Sequence, residues 1–131
     1  MDHGIATTVP LPFDQAVTAV REALADQGFG VLTEIDLAAT LKVKLDVELA
    51  PQVILGASNP PLAHRALQAE ASIGLLLPCN VVVRAAGADR TAVEALDPQI
   101  MVGVTGNADL RPVADAAAER LRAALATLPQ A

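Results

Sequence analysis

The sequence predicts an α+β domain, a single antiparallel sheet with helices packed on one face. Three observations carry that prediction. Short apolar or alternating stretches bounded by Gly, Pro and Asp recur along the chain and read as strands. Other stretches repeat apolar residues every three or four positions, as a helix with one core-facing stripe does. The chain has 131 residues, 53% of them hydrophobic, which suits one domain over residues 1–131 with one core. Helices mixed with hairpin-linked strands argue α+β rather than a parallel sheet.

The elements follow in order. Ile5, Thr7 and Val9 alternate with Ala6 and Thr8, a strand that Pro10 ends. Pro12 opens a helix whose stripe is Phe13, Ala16, Val17, Val20 and Leu24. Gly28 stops it, because only glycine takes the left-handed cap without steric cost, and Phe29 can fold back on the last turn. Residues 31–35 form a second strand. Asp36 is placed to cap a short helix with Leu37, Leu41 and Leu45 on one face. After Pro51, residues 52–56 read as a strand, and the Val53-Ile54-Leu55 run implies burial on both faces.

Ser58-Asn59-Pro60-Pro61 signals a helix start, with a side-chain acceptor followed by proline where a missing N–H costs nothing. That helix runs to about Glu70. Residues 73–77 are apolar and stop at Pro78. Residues 79–85 and 90–96 are strands joined by a turn at Ala86-Gly87-Ala88-Asp89. Asp97-Pro98 begins an irregular stretch through Gly103 and Gly106. Asp109 is expected to cap the last helix, with Pro112 in its first turn. Its stripe is Val113, Ala117, Leu121, Ala124, Leu125 and Leu128.

Composition excludes several functions. The net charge is −6, and the nine Lys and Arg residues are scattered, with Lys42 and Lys44 close together. A nucleic-acid binder needs a basic stripe to neutralise phosphates, and often aromatic platforms for bases. Phe13 and Phe29 are the only aromatic residues, so no nucleic-acid partner is expected. The longest apolar stretch, residues 71–83, is broken by Pro78 and Asn80 and is too short to span a bilayer. The N-terminal Met1-Asp2-His3-Gly4 does not resemble a signal peptide. Cys79 is the single cysteine, so no internal disulfide can form. A cytoplasmic location without membrane attachment is expected. So much apolar surface on a short chain also points to a homo-oligomer.

Three segments carry a family resemblance. They are Ile54-Leu55-Gly56-Ala57-Ser58-Asn59-Pro60-Pro61-Leu62-Ala63, then Ile73-Gly74-Leu75-Leu76-Leu77-Pro78-Cys79-Asn80-Val81-Val82-Val83, and the opening Phe29-Gly30-Val31-Leu32-Thr33-Glu34-Ile35-Asp36. Together they resemble the signature of the domain of unknown function 302 (DUF302) family, over nearly the whole chain. The resemblance implies a fold like that of the TATA-binding protein: strand, helix, four strands, helix, with short helices inserted between strands. It implies a homodimer, and no activity, since the family has none assigned. Family members often resemble Gly-Ala-Cys-Asn-Pro where this chain has Ser58, so a mechanism needing two thiols does not carry over. Likeness to a DNA-binding fold implies no DNA binding, because function lives in sites.

The candidate pocket comprises Cys79, His64, Asn59, Ser58 and Asn80. Strand parity groups Cys79 with Val81, Val83 and Ala85, which turns the thiol toward the core. There it is a small hydrophobe unless a cation or helix end lowers its pKa. His64 lies off the apolar stripe of its helix, either solvated or a base partner for Cys79. Ser58 and Asn59 are caps, or else part of an anion or small-ligand site at a helix N-terminus. Asn80 is a satisfied strand residue or a site residue. No metal set, phosphate loop or nucleophile elbow is present, and no cofactor is expected. The sequence is read as a small cytoplasmic ligand-binding or interaction module acting as a homodimer, with a small apolar or anionic ligand. The alternative is an enzyme using Cys79 with His64 or Asn59.

Overall fold

In the computed structural model, which describes residues 3–130, the alternating stretches become five strands: β1 (Gly4–Val9), β2 (Gly30–Asp36), β3 (Gln52–Ser58), β4 (Cys79–Gly87) and β5 (Arg90–Leu96). They form one sheet in the order β1-β5-β4-β3-β2, antiparallel throughout. Three longer helices accompany them: α1 (Phe13–Asp26), α2 (Leu37–Leu45) and α3 (Pro60–Ala69). A short α4 (Ile100–Thr105) and the long α5 (Arg111–Ala126) complete the order, with 3-10 turns at Ile73–Leu76 and Ala108–Leu110. Strand, helix, four strands, helix is thus the order of the main elements.

Register explains the core. Val53 pairs with Val83, Val83 with Val93, and Val93 with Thr7. The next inward row is Leu55, Val81, Ala95 and Ile5. Partners in an antiparallel ladder share a face, so these rows form one apolar surface. Helices α1 and α5 pack on it and against each other. Their contributions include Val20 and Leu24 from α1 and Leu121 and Leu125 from α5, all buried. A second buried cluster lies beside this one. It joins Leu62 and Ala66 of α3, Ile73, Met101 of α4, and Leu110 and Val113 at the start of α5.

Several local expectations are corrected. Strand β3 buries Val53, Leu55 and Ala57, but Ile54 on the other parity is only half-buried, because helices cover only one face of an antiparallel sheet. Helix α2 is capped as expected, with Asp36 Oδ1 accepting from the Ala39 N–H at 2.9 Å, yet it buries no residue. The stretch after Asp97 is not wholly irregular. It folds as α4, which buries Met101 and closes on Gly106 at φ 68°. Asp109 does not cap the last helix. Asn107 caps the 3-10 turn that leads into α5, its Oδ1 accepting from the Asp109 N–H at 3.0 Å. Its Nδ2 also donates to the Ala69 carbonyl at 3.0 Å and to Glu70 at 3.2 Å, tying the end of α3 to the start of α5. On α5 the buried stripe runs through Ala114 and Ala118, while Ala117 is half-buried. Among the described residues, no helix is long and apolar enough to cross a membrane.

Candidate functional site

Strand β3 passes directly into α3, and strand β4 begins beside that junction. The register pairs Ala57 with Cys79, so the end of β3 and the start of β4 lie side by side. Asn59 caps α3, its Oδ1 accepting from the Leu62 N–H at 3.3 Å, and its Nδ2 donates to the Gln27 carbonyl at 3.5 Å. The residue is 6% exposed, and both ends of its side chain are committed. Gln27 belongs to the turn after α1, where Gly28 adopts φ +82° and the Phe29 N–H returns to the Leu24 carbonyl at 2.9 Å. This left-handed closure puts the buried Phe29 beside the β3–α3 junction.

Between these parts lies a cavity of about 50 Å³. Phe29, Ala57 and Cys79 bound it on the side of the sheet core, and Leu62, Met101 and Val113 on the side of the second cluster. The cavity therefore occupies the seam between the two cores. Ser58 and Asn59 border it where β3 turns into α3, and Leu76, Leu77 and Leu96 complete its apolar walls.

The candidate residues divide. Cys79, Asn59 and Ser58 meet at this cavity. His64 is exposed on α3 and lines no part of it, and Asn80 is exposed on the uncovered side of β4. Cys79 is half-buried, its Sγ–H donating to the Leu96 carbonyl at 3.5 Å. Burial first, and then the nearby Asp97 carboxylate, push the thiol's pKa up to about 11. The thiol is thus neutral at physiological pH, and His64 does not line its cavity.

Nor can the start of α3 hold an anion. Pro60 and Pro61 have no N–H, the Leu62 N–H is taken by Asn59 Oδ1, and the Ala63 N–H goes to the Asn59 carbonyl at 2.8 Å. A helix N-terminus binds anions through free N–H groups, and here none is left over. Among the described residues no group of three or more His, Cys, Asp and Glu side chains could hold a metal ion. What remains is an apolar recess with a neutral thiol in its wall.

Sequence reasoning missed Met101 and the Leu76–Leu77 wall. Met101 lay in a stretch read as irregular, although its apolar Ile100-Met101-Val102 run before two glycines was a visible signal.

Comparisons with known proteins agree with this architecture. A family model described as "Domain of unknown function DUF302" matches residues 5–128. The crystal structure of an uncharacterized conserved protein DUF302 from Bacillus stearothermophilus is similar, with a TM-score of 0.87 and 28% sequence identity, covering 96% of this chain and 98% of that one. No curated protein matches the sequence.

Proposed function

Because the chain belongs to the DUF302 family, whose function is unknown, we propose a function from its own cavity: a binding module for a small apolar ligand, or for the apolar end of a larger one. One observation carries the reading. The recess at the seam of the two cores is walled by Phe29, Leu62, Leu76, Met101 and Val113, and its one thiol is held neutral. Small-molecule pockets are concave and mostly apolar with few polar groups; this recess has that lining and, at about 50 Å³, must widen to admit a guest. The anionic ligand considered from the sequence finds no free donors at the start of α3.

This geometry favours binding over thiol catalysis. A nucleophilic cysteine needs a lowered pKa and a base within reach. Cys79 has a raised pKa, Asn59 is occupied by capping, and His64 faces solvent.

The module acts as a cytoplasmic homodimer that takes no nucleic acid. A free thiol without a disulfide supports the compartment, and exposed apolar side chains such as Leu32, Val43 and Leu45 support the dimer. The order strand, helix, four strands, helix supports the likeness to the TATA-binding protein's fold. The charge of −6 argues against any shared use of it.

The test is a titration with 1-butanol, benzene and hexanoate followed by amide and methyl NMR. Shifts confined to Ala63, Leu76, Met101 and Cys79, with a higher melting temperature, are expected. Uniform or absent shifts at millimolar probe would overturn the reading.

A further inference from the structure

Arg120 stands at the rim of the recess. Val113 and Ala117 of α5 line the recess, and Arg120 continues their row on the same face of the helix. A helical side chain leans over the turn before its own Cα, and for Arg120 that is the turn of Ala117. A hydrogen bond fixes the guanidinium there. Its Nη1 donates to the Gln27 carbonyl at 3.3 Å, and the same carbonyl accepts from Nδ2 of Asn59, another lining residue, at 3.5 Å. A Cβ at Gly28 would lie 3.4 Å from Nη1 of Arg120 and 3.1 Å from Nδ2 of Asn59, so the two groups flank one turn.

The rest of the guanidinium is uncommitted. It carries several N–H donors in a planar fork, and one of them is used. Among the described residues the ion pairs belong to Arg21, Lys42, Arg84 and Arg122, so no carboxylate neutralises Arg120. That includes Asp26 and Glu119, the acidic residues beside Gln27 and Arg120 in sequence. A planar cation next to an apolar recess matches a molecule with a carboxylate at one end and an alkyl chain at the other. The fork takes both carboxylate oxygens, and the head keeps part of its water while the chain leaves water entirely. The net charge of −6 acts over distances that salt screens, whereas the guanidinium acts at contact.

We propose that the ligand is a short-chain carboxylate, with its alkyl end in the recess toward Met101 and Leu76 and its carboxylate on the Arg120 fork at the rim. The inference rests on the binding module proposed above and adds the chemistry of its ligand. The anion site that the start of α3 lacks is thus supplied by α5. A recess of about 50 Å³ selects a short chain over a long one.

Two matched ligands test it by NMR titration: hexanoate and 1-hexanol share a chain length and differ in the charge of the head. An apolar recess alone favours the neutral alcohol. The wild type is instead expected to bind hexanoate about fivefold tighter than 1-hexanol, the strength of a partly exposed ion pair. In Arg120→Gln that advantage is expected to vanish while 1-hexanol binds as before. Equal affinities in the wild type, tighter binding of the alcohol, or an advantage that survives Arg120→Gln would overturn the carboxylate and leave the apolar site standing. An equal weakening of both ligands by Arg120→Gln would reduce Arg120 to a support of the Gln27 turn and overturn the proposal as well. Failure of both ligands to bind the wild type would overturn the site itself. If Arg120→Gln does not fold, the pose in the wild type decides. Nuclear Overhauser contacts from the terminal methyl of hexanoate to Met101, and from the carbon next to its carboxylate to Ala117, are expected. The reverse order would overturn the proposal.

Discussion

At neutral pH the Cys79 thiol stays protonated, since burial and the Asp97 carboxylate both disfavour the thiolate. Alkylation by iodoacetamide at pH 7.5 is therefore expected to be at least tenfold slower in the native protein than in urea, with the native rate still climbing as pH approaches 11. Equal rates in both states would refute the buried, neutral thiol. The same shift makes stability depend on pH. The ordinary value is 9.0 and the folded value about 11, so between them the folded state holds the proton that the unfolded state releases. Stability contributed by the thiol is complete below pH 9 and falls as pH rises toward 11. The chain has no tyrosine to mask this, and Cys79→Ala is expected to flatten the slope of the urea midpoint between pH 8.5 and 10.5. Asn59 is the other decisive residue. Asn59→Ala removes the α3 cap and leaves the Gln27 carbonyl one donor short, an expected loss of about 1–2 kcal/mol in urea unfolding. Asn59→Asp keeps the acceptor and is expected to cost less.

Among the elements, β3 is held between neighbours at one glycine. A Cβ at Gly56 would meet the Thr33 hydroxyl, and it would lie 2.9 Å from Cγ of Pro78. The threonine can rotate, but the proline ring cannot turn away. Gly56→Ala is expected to lower stability by about 1–3 kcal/mol, read from the shift of the thermal midpoint. The strands were legible because their signals are local. Alternation in residues 5–9, the Asp89 turn and Pro51 each bound a ladder without help from elsewhere. The start of α3 was legible from Asn59-Pro60-Pro61, whereas the loss of its free donors to the two prolines and to the Asn59 cap emerged only from the structure. Helix α4 was only half legible: its apolar Ile100-Met101-Val102 run is visible, but two glycines in residues 100–106 speak against a helix, and Gly106 reveals itself as a cap only through its left-handed backbone. The role of Asn107 was hidden for another reason. Its partners Ala69 and Glu70 are nearly forty residues away, a contact that no local pattern encodes. The cavity followed the same division. Parity turned Cys79 inward, and the wheel set His64 outside the stripe, but the wall from Met101 needed the tertiary fold.

For the molecule as a whole, charge decides what approaches it. Arg21 pairs with Glu34, Arg84 with Glu94, Lys42 with Asp46 and Glu48, and Arg122 with Asp97, so much of the basic surface is neutralised in place. A gel shift with duplex or single-stranded DNA in low salt is expected to show no complex at 10 µM protein. A salt-sensitive complex there would contradict the reading. The two cores bear on motion. The sheet core is cross-linked by ladders on every strand, whereas the cluster of α3, α4 and the start of α5 has none and is tied to it by the β3–α3 junction, the length of α5 and the walls of the recess that Cys79 borders. Such a boundary is where a protein breathes. Opening helices that carry no ladder costs less than parting paired strands. Amide hydrogen exchange in α3 and α4 is then expected to run faster than in β4 and β5. A guest's doorway would be the opening of α3 and α4, and its residence time would be set by how often they open.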